Sequence, residues 1–294
     1  MTTATEMTIT GLAPWFGSNR SLAHTVGALM GDVPFVAVAF AGSMCEIPHF
    51  KASSLLVNDL HADLITLARV VADDALRAKL KSRLERKLVH VHELDAAQKF
   101  MRDRRGIGLF GGGDHVQPEG ILAIAEAYFT CVWMTRSGVA GTDGELSGGL
   151  TVRYDAGGGG SAKRYFSAVD SLDAWSRELK RCEFLCEDFE EFIRRVPDAP
   201  HRTGDADCPP RGIYCDPPFP GPGDAYANKL TVQQQRRLAR LVTGKRHTRV
   251  VMRFYDHPLV QELYPEGQWR WARPEGGRDQ HNADKPEVLL WNGV

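Results

Sequence analysis

Long apolar runs are missing from this chain of 294 residues. No stretch approaches the ~20 apolar residues that a membrane-crossing helix needs. The start, Met1 to Thr10, is polar and lacks the basic-then-apolar layout of a secretion signal. The sequence therefore reads as soluble and cytoplasmic, with no membrane partner. Paired cysteines are missing too. Cys45, Cys131, Cys182, Cys186, Cys208 and Cys215 are scattered without a Cys-x-x-Cys pair, which argues against a zinc module and for reduced thiols. No glycine fingerprint of a dinucleotide site or P-loop follows a strand, no Ser-His-Asp or Cys-His arrangement is discernible, and no internal repeat appears. His90, His92 and Glu93 lie on a helical run and cannot share one face, so no metal site is expected. An excess of one charge is also absent: 36 basic residues meet 37 acidic ones, and bulk electrostatics do not announce nucleic acid.

What is present is enough apolar sequence, 43% of the chain, for one domain with a large insertion or two modest domains. The charge is unevenly placed. From Arg77 to Arg105 there are ten basic residues against four acidic ones, and Arg236, Arg237, Arg240, Lys245, Arg246 and Arg249 form a second stripe without an acid. Such stripes suit phosphates, although a solvated helix face looks the same. Pro34 to Gly42 reads as a buried parallel strand ending in a tight turn, and Ser54 to Val57 as a second strand stopped by Asn58-Asp59. From Ala62, leucines and valines recur every three to five residues as far as Val91, which predicts helix. Strand-like runs return at Cys182 to Cys186, Gly212 to Cys215, Arg249 to Phe254 and Val288 to Trp291, and Thr231 is placed to cap a helix. Strands alternating with helices imply a doubly wound α/β sheet.

The strongest chemical signal is Asp216-Pro217-Pro218-Phe219 directly after an apolar strand. Two prolines fix φ and make a rigid corner where α/β sheets bind ligands. An exocyclic adenine amine is a poor nucleophile, because its lone pair is delocalised into the ring. A carboxylate and a backbone carbonyl accepting its two N–H groups draw that lone pair toward sp³ character. Asp216 and the Pro217 carbonyl are suited to accept them, and Phe219 is suited to stack on an extruded base. Flipping costs a few kcal/mol, and aromatic stacking returns roughly 1–3 kcal/mol per base.

With these residues the chain resembles the Dam-type DNA N6-adenine methyltransferases, the group whose cofactor motifs precede the catalytic one. The resemblance covers nearly the whole chain. Pro14-Trp15-Phe16-Gly17-Ser18-Asn19-Arg20 is similar to the family's N-terminal cofactor loop, and Phe40-Ala41-Gly42-Ser43 to its glycine turn. Asn58-Asp59-Leu60 resembles the acidic strand end that holds the ribose of S-adenosylmethionine. Phe184 to Phe189, with Asp188, resembles the motif bordering the cofactor's adenine, and Pro286 to Asn292 the closing strand. Ala125, Tyr128, Phe129, Arg136 to Gly138 and Gly141 resemble the segment before the target-recognition loops. The chain departs from the pattern at Asn19, where the family has lysine, at Val38-Ala39, where it has Glu-Pro, and at Phe219, where it has tyrosine.

The resemblance implies a Rossmann-like methyltransferase sheet from residues 1–69 and 180–294, with a target-recognition insertion over 70–179. It implies catalysis by Asp216, Pro217, Pro218 and Phe219 on a flipped adenine in double-stranded DNA. S-adenosylmethionine would meet Trp15, Asn19, Phe40, Gly42, Asp59 and Asp188. Two alternatives stay open: a weak or inactive DNA-binding relative, and another amine acceptor such as cytosine N4 or RNA.

Overall fold

Runs of Val, Ile, Leu and Phe buried on both faces suit parallel strands, and they form the strands here. The computed structural model describes residues 11–18, 20–106, 117–135, 140–151, 160–198, 211–221, 226–274 and 286–294. The chain divides into two units.

One unit, Asn19–Ala41, Glu46–Leu60 and Cys182–Val294, carries the sheet. Its strands are β1 (Phe35–Val38), β2 (Ser54–Asn58), β3 (Cys182–Leu185), β4 (Gly212–Cys215), β5 (Arg249–Tyr255), β6 (Trp269–Ala272) and β7 (Glu287–Asn292), in the order β3-β2-β1-β4-β5-β7-β6. The first five are parallel, and β7 runs antiparallel to both β5 and β6. On one face Ala37, Ile213, Met252 and Phe254 share a core with Phe192 of α8 (Phe189–Arg195), Leu238 of α9 (Val232–Thr243) and Val260 of α10 (Pro258–Leu263). On the other lies α1 (Ala23–Met30). There the start of β4 must be glycine, because a methyl group on Gly212 would collide with the Met30 sulfur. This is the doubly wound, Rossmann-like methyltransferase sheet expected from the sequence. Its strand order reverses between β1 and β4, so the carboxyl ends of these strands border the crevice where such sheets bind ligands.

The other unit, Met1–Ser18, Gly42–Cys45 and His61–Arg181, is helical where described. It holds α2 (Ala62–Ala72), α3 (Asp74–Glu85), α4 (Val91–Gly106), α5 (Pro118–Met134), α6 (Ser161–Asp170) and α7 (Leu172–Leu179). Helix α5 is apolar almost all round and nearly wholly buried, the mark of a central helix; α2, α3, α4 and α6 pack on it. The leucine periodicity from Ala62 to Val91 predicts continuous helix, but the chain breaks it. Asp73 leaves helical geometry and its carboxylate accepts the Leu76 N–H at 2.8 Å, ending α2 and capping α3. No helix among the described residues is long and apolar enough to cross a membrane.

Candidate functional site

Four of the residues singled out in the sequence stand at or just past the carboxyl ends of the sheet unit's parallel strands: Phe40 after β1, Asp59 after β2, Asp188 after β3 and Asp216 after β4. What arranges these ends is a residue to which the sequence reading gave no role of its own. Asn58, almost fully buried, donates from Nδ2 to the Ala39 carbonyl at 3.3 Å and the Glu187 carbonyl at 3.0 Å, and its Oδ1 accepts the Glu187 N–H at 3.0 Å. One side chain thus ties three strand ends together. Asp59 follows it and is itself buried. Asp188 spends one carboxylate oxygen on the Glu190 N–H at 2.8 Å as the N-cap of α8. Phe40 packs on Phe189, with ring centroids 5.7 Å apart.

The Asp-Pro-Pro-Phe corner follows β4 outside helix and strand, and Gln235 of α9 pins it by donating to the Pro218 carbonyl at 2.7 Å. The side chain of Asp216 is 21% exposed, and its Oδ2 accepts from Nη1 of Arg253 at 2.8 Å. Arg253, on β5, also grips Glu287 of β7 through Nε at 3.0 Å and Nη2 at 2.8 Å. Burial, with Glu46 and Glu287 nearby, pushes the Asp216 carboxyl up to about 7 against the opposing pull of Arg253. The Tyr226 phenol is raised by burial and by the Asp216 carboxylate. Phe219 is only 6% exposed: it packs edge-on against Tyr255 at 4.7 Å, and the Arg253 guanidinium lies 5.3 Å from its ring centroid. A cavity of about 310 Å³ opens beside it, lined also by Leu230, Val232, Gln235 and His257.

In the helical unit Trp15 sits between two glycines in left-handed backbone, where a larger residue is strained. Gly42 has φ +47° and a methyl there would come within 3.1 Å of the indole Cδ1; Gly141 has φ +80° and a methyl there would collide with the six-membered ring. Behind the indole stands His61, edge-on at 5.3 Å. Its Nδ1 accepts the Leu64 N–H, so the ring proton is on Nε2, which donates to Glu145 at 3.0 Å. Glu145 also accepts from Arg105 at 2.8 Å and from the Gly141 N–H at 2.7 Å. These partners hold its carboxyl down at about 2 although burial works to raise it. Asn19 and the segment Arg136 to Gly138 lie outside the described residues. Among the described residues no group of three His, Cys, Asp or Glu is placed to hold a metal ion.

Of the missed residues, Arg253 and Glu287 carried a signal. A charge inside Val250-Val251-Met252-Arg253-Phe254-Tyr255 is unusual for a buried strand, and so is an acid opening Glu287 to Trp291.

The strand order thus defines a Rossmann-like methyltransferase fold, and an ion-paired acid, Asp216, stands at its switch point. The chain is 22% identical over 255 residues to the retron Ec67 DNA adenine methylase of Escherichia coli, an alignment covering 85% of this chain and 79% of that protein. No family model matches the chain.

Proposed function

We propose that this chain is an S-adenosylmethionine-dependent DNA adenine methyltransferase of the Dam type, modifying N6 of an adenine flipped out of duplex DNA. The observation that carries the reading is the Asp216-Pro217-Pro218-Phe219 corner at the carboxyl end of β4, with one carboxylate oxygen anchored on Arg253. The similarity to the retron methylase supports it. Two acceptors, Oδ1 of Asp216 and the Pro217 carbonyl, take the two N–H groups of the amine and aim its lone pair. Holding the amine in this way converts a bimolecular encounter into a positioned one. As the new N–C bond forms at the expense of the donor's methyl–sulfur bond, Oδ1 of Asp216 is the atom suited to receive the amine's departing proton, since burial pushes its carboxyl up to about 7.

The donor sets fit the proposed cofactor. A buried carboxylate at the end of β2 suits a ribose diol, and the glycine cradle around Trp15 suits an aromatic wall. On the family resemblance we assign Trp15, Asn19, Phe40, Gly42, Asp59 and Asp188 to S-adenosylmethionine. The cofactor supplies a methyl group already activated on a sulfonium.

Methyl transfer from tritiated S-adenosylmethionine to unmethylated duplex DNA tests the reading. The expected product is N6-methyladenine after digestion to nucleosides, lost in Asp216→Ala. Label in N4-methylcytosine, or none at saturating cofactor on varied DNA, would sink it.

A further inference from the structure

Three adjacent strands place an acid, a base and an acid on one face of the sheet. Cys215 is in register with Met252, so Asp216 continues beside Arg253, and Glu287 lies diagonally across from Arg253 on β7, two residues before its register partner Leu289. Arg253 is almost wholly buried and so is Glu287. Stability does not require such a triad, because apolar side chains of similar volume do as well or better in a sheet interior. Its geometry, however, is directional. The two carboxylate oxygens of Glu287 take Nε and Nη2, which fixes the plane of the guanidinium and turns Nη1 toward Asp216. A lysine ammonium has no such fork. The same guanidinium lies over the Phe219 ring.

We infer that Arg253, oriented by Glu287, is the positioning residue for Asp216: it engages Oδ2 and leaves Oδ1, which has no hydrogen-bond partner among the described residues, facing the substrate amine. This rests on the reading of Asp216 as the acceptor of that amine. Arg253 does not touch the substrate; it sets which carboxylate oxygen is offered and favours the charged form.

The charges facing Asp216 have opposite effects, which makes the inference testable. Glu287 and Glu46 oppose its ionisation and Arg253 favours it, and the Tyr226 phenol and Cys215 thiol stand close by. Tyr214 of β4, whose phenol donates to Glu46 at 3.2 Å, is the further titratable group near Arg253. The wild-type pH profile of kcat/KM should rise through about 7 and level off above it. Glu287→Gln keeps the volume and one of the two acceptors and removes one opposing charge, so the rising limb should move down by about one pH unit. Arg253→Lys keeps the charge and loses the fork, so the limb should move up by about one unit, with kcat reduced more than KM is raised. Activity lost in Arg253→Met should be partly restored in Arg253→Lys. Thermal unfolding identifies variants that fold, and ¹³C titration of the carboxyl assigned by its loss in Asp216→Asn reads the same shifts without turnover. Opposite displacements seen in both readouts support the inference. Folded variants whose limb and carboxyl titration stay in place overturn it. A wild-type protein that transfers no methyl group overturns the proposed function instead, and the carboxyl titration still decides the Arg253 arrangement.

Discussion

Phe219 packs its ring into the core of the sheet, while the proposed reaction asks the same ring to meet a base. The two roles separate in Phe219→Leu. Shrinking a core ring to leucine costs about 1–2 kcal/mol, whereas losing a base stack costs roughly 1–3 kcal/mol, about 5- to 150-fold in affinity. The variant should therefore melt only slightly lower and show a DNA KM raised at least about five-fold. A lowered melting point with an unchanged KM would assign Phe219 to packing alone. Gly141 offers a second single-residue test, since it combines a left-handed φ with direct contact to Trp15. Gly141→Ala should lose about 1–3 kcal/mol of stability from backbone strain, displace the indole and weaken S-adenosylmethionine binding. Tryptophan fluorescence and a cofactor titration read these effects. Unchanged cofactor affinity with a displaced indole would remove Trp15 from the binding site.

At the scale of elements, α9 both caps itself and holds the Asp-Pro-Pro-Phe corner. Thr231 and Gln234 form a reciprocal capping box, and Gln235, one residue further, reaches the Pro218 carbonyl. Thr231→Ala should cost about 1 kcal/mol of stability and leave kcat at saturating DNA in place. Gln235→Leu strands a carbonyl at the corner, a loss of about 1–3 kcal/mol, and should lower kcat by about ten-fold or more; comparable kcat values in the two variants would show that the corner needs no clamp. The strands ending at this corner were legible in the sequence because strands buried on both faces are nearly continuous apolar runs. Strand β6, Trp-Arg-Trp-Ala, is short and mixed and gave no such run. The break at Asp73 was hidden because leucines keep their spacing on both sides of it. Asp216 was legible through its proline neighbours. Arg253 was legible only as a charge inside an apolar run and Asn58 only as a strand end, since their partners depend on which strand lies beside them, and register is a property of the sheet rather than of any one segment.

Across the whole molecule, the basic stripes that the sequence offered to phosphates turn out to be largely engaged. Arg77 and Lys81 share Asp173, Arg83 meets Glu119 and Glu126, Lys87 meets Glu93 and Glu126, and Arg104 and Arg105 meet Asp63. In the second stripe Arg236 pairs with Glu262, Arg237 with Glu190, and Arg249 binds backbone carbonyls. Pairing of this kind is largely invisible in a count of charges, because most of the acids come from distant segments. A base already neutralised by an acid releases few counterions when it meets DNA, so the salt slope should be far shallower than the stripes suggest. Lys79 and Arg86 on and after α3 are exposed and make no ion pair among the described residues. Substituting both by alanine should weaken duplex binding evenly across sequences and reduce the slope of log K against log salt by about 2. Lys81→Ala, which breaks an internal pair, should change that slope by less than half as much. Binding isotherms between 50 and 200 mM salt, a range over which phosphate contacts are strongly screened, make the comparison. A double variant with the wild-type slope would move the DNA-binding surface away from α3.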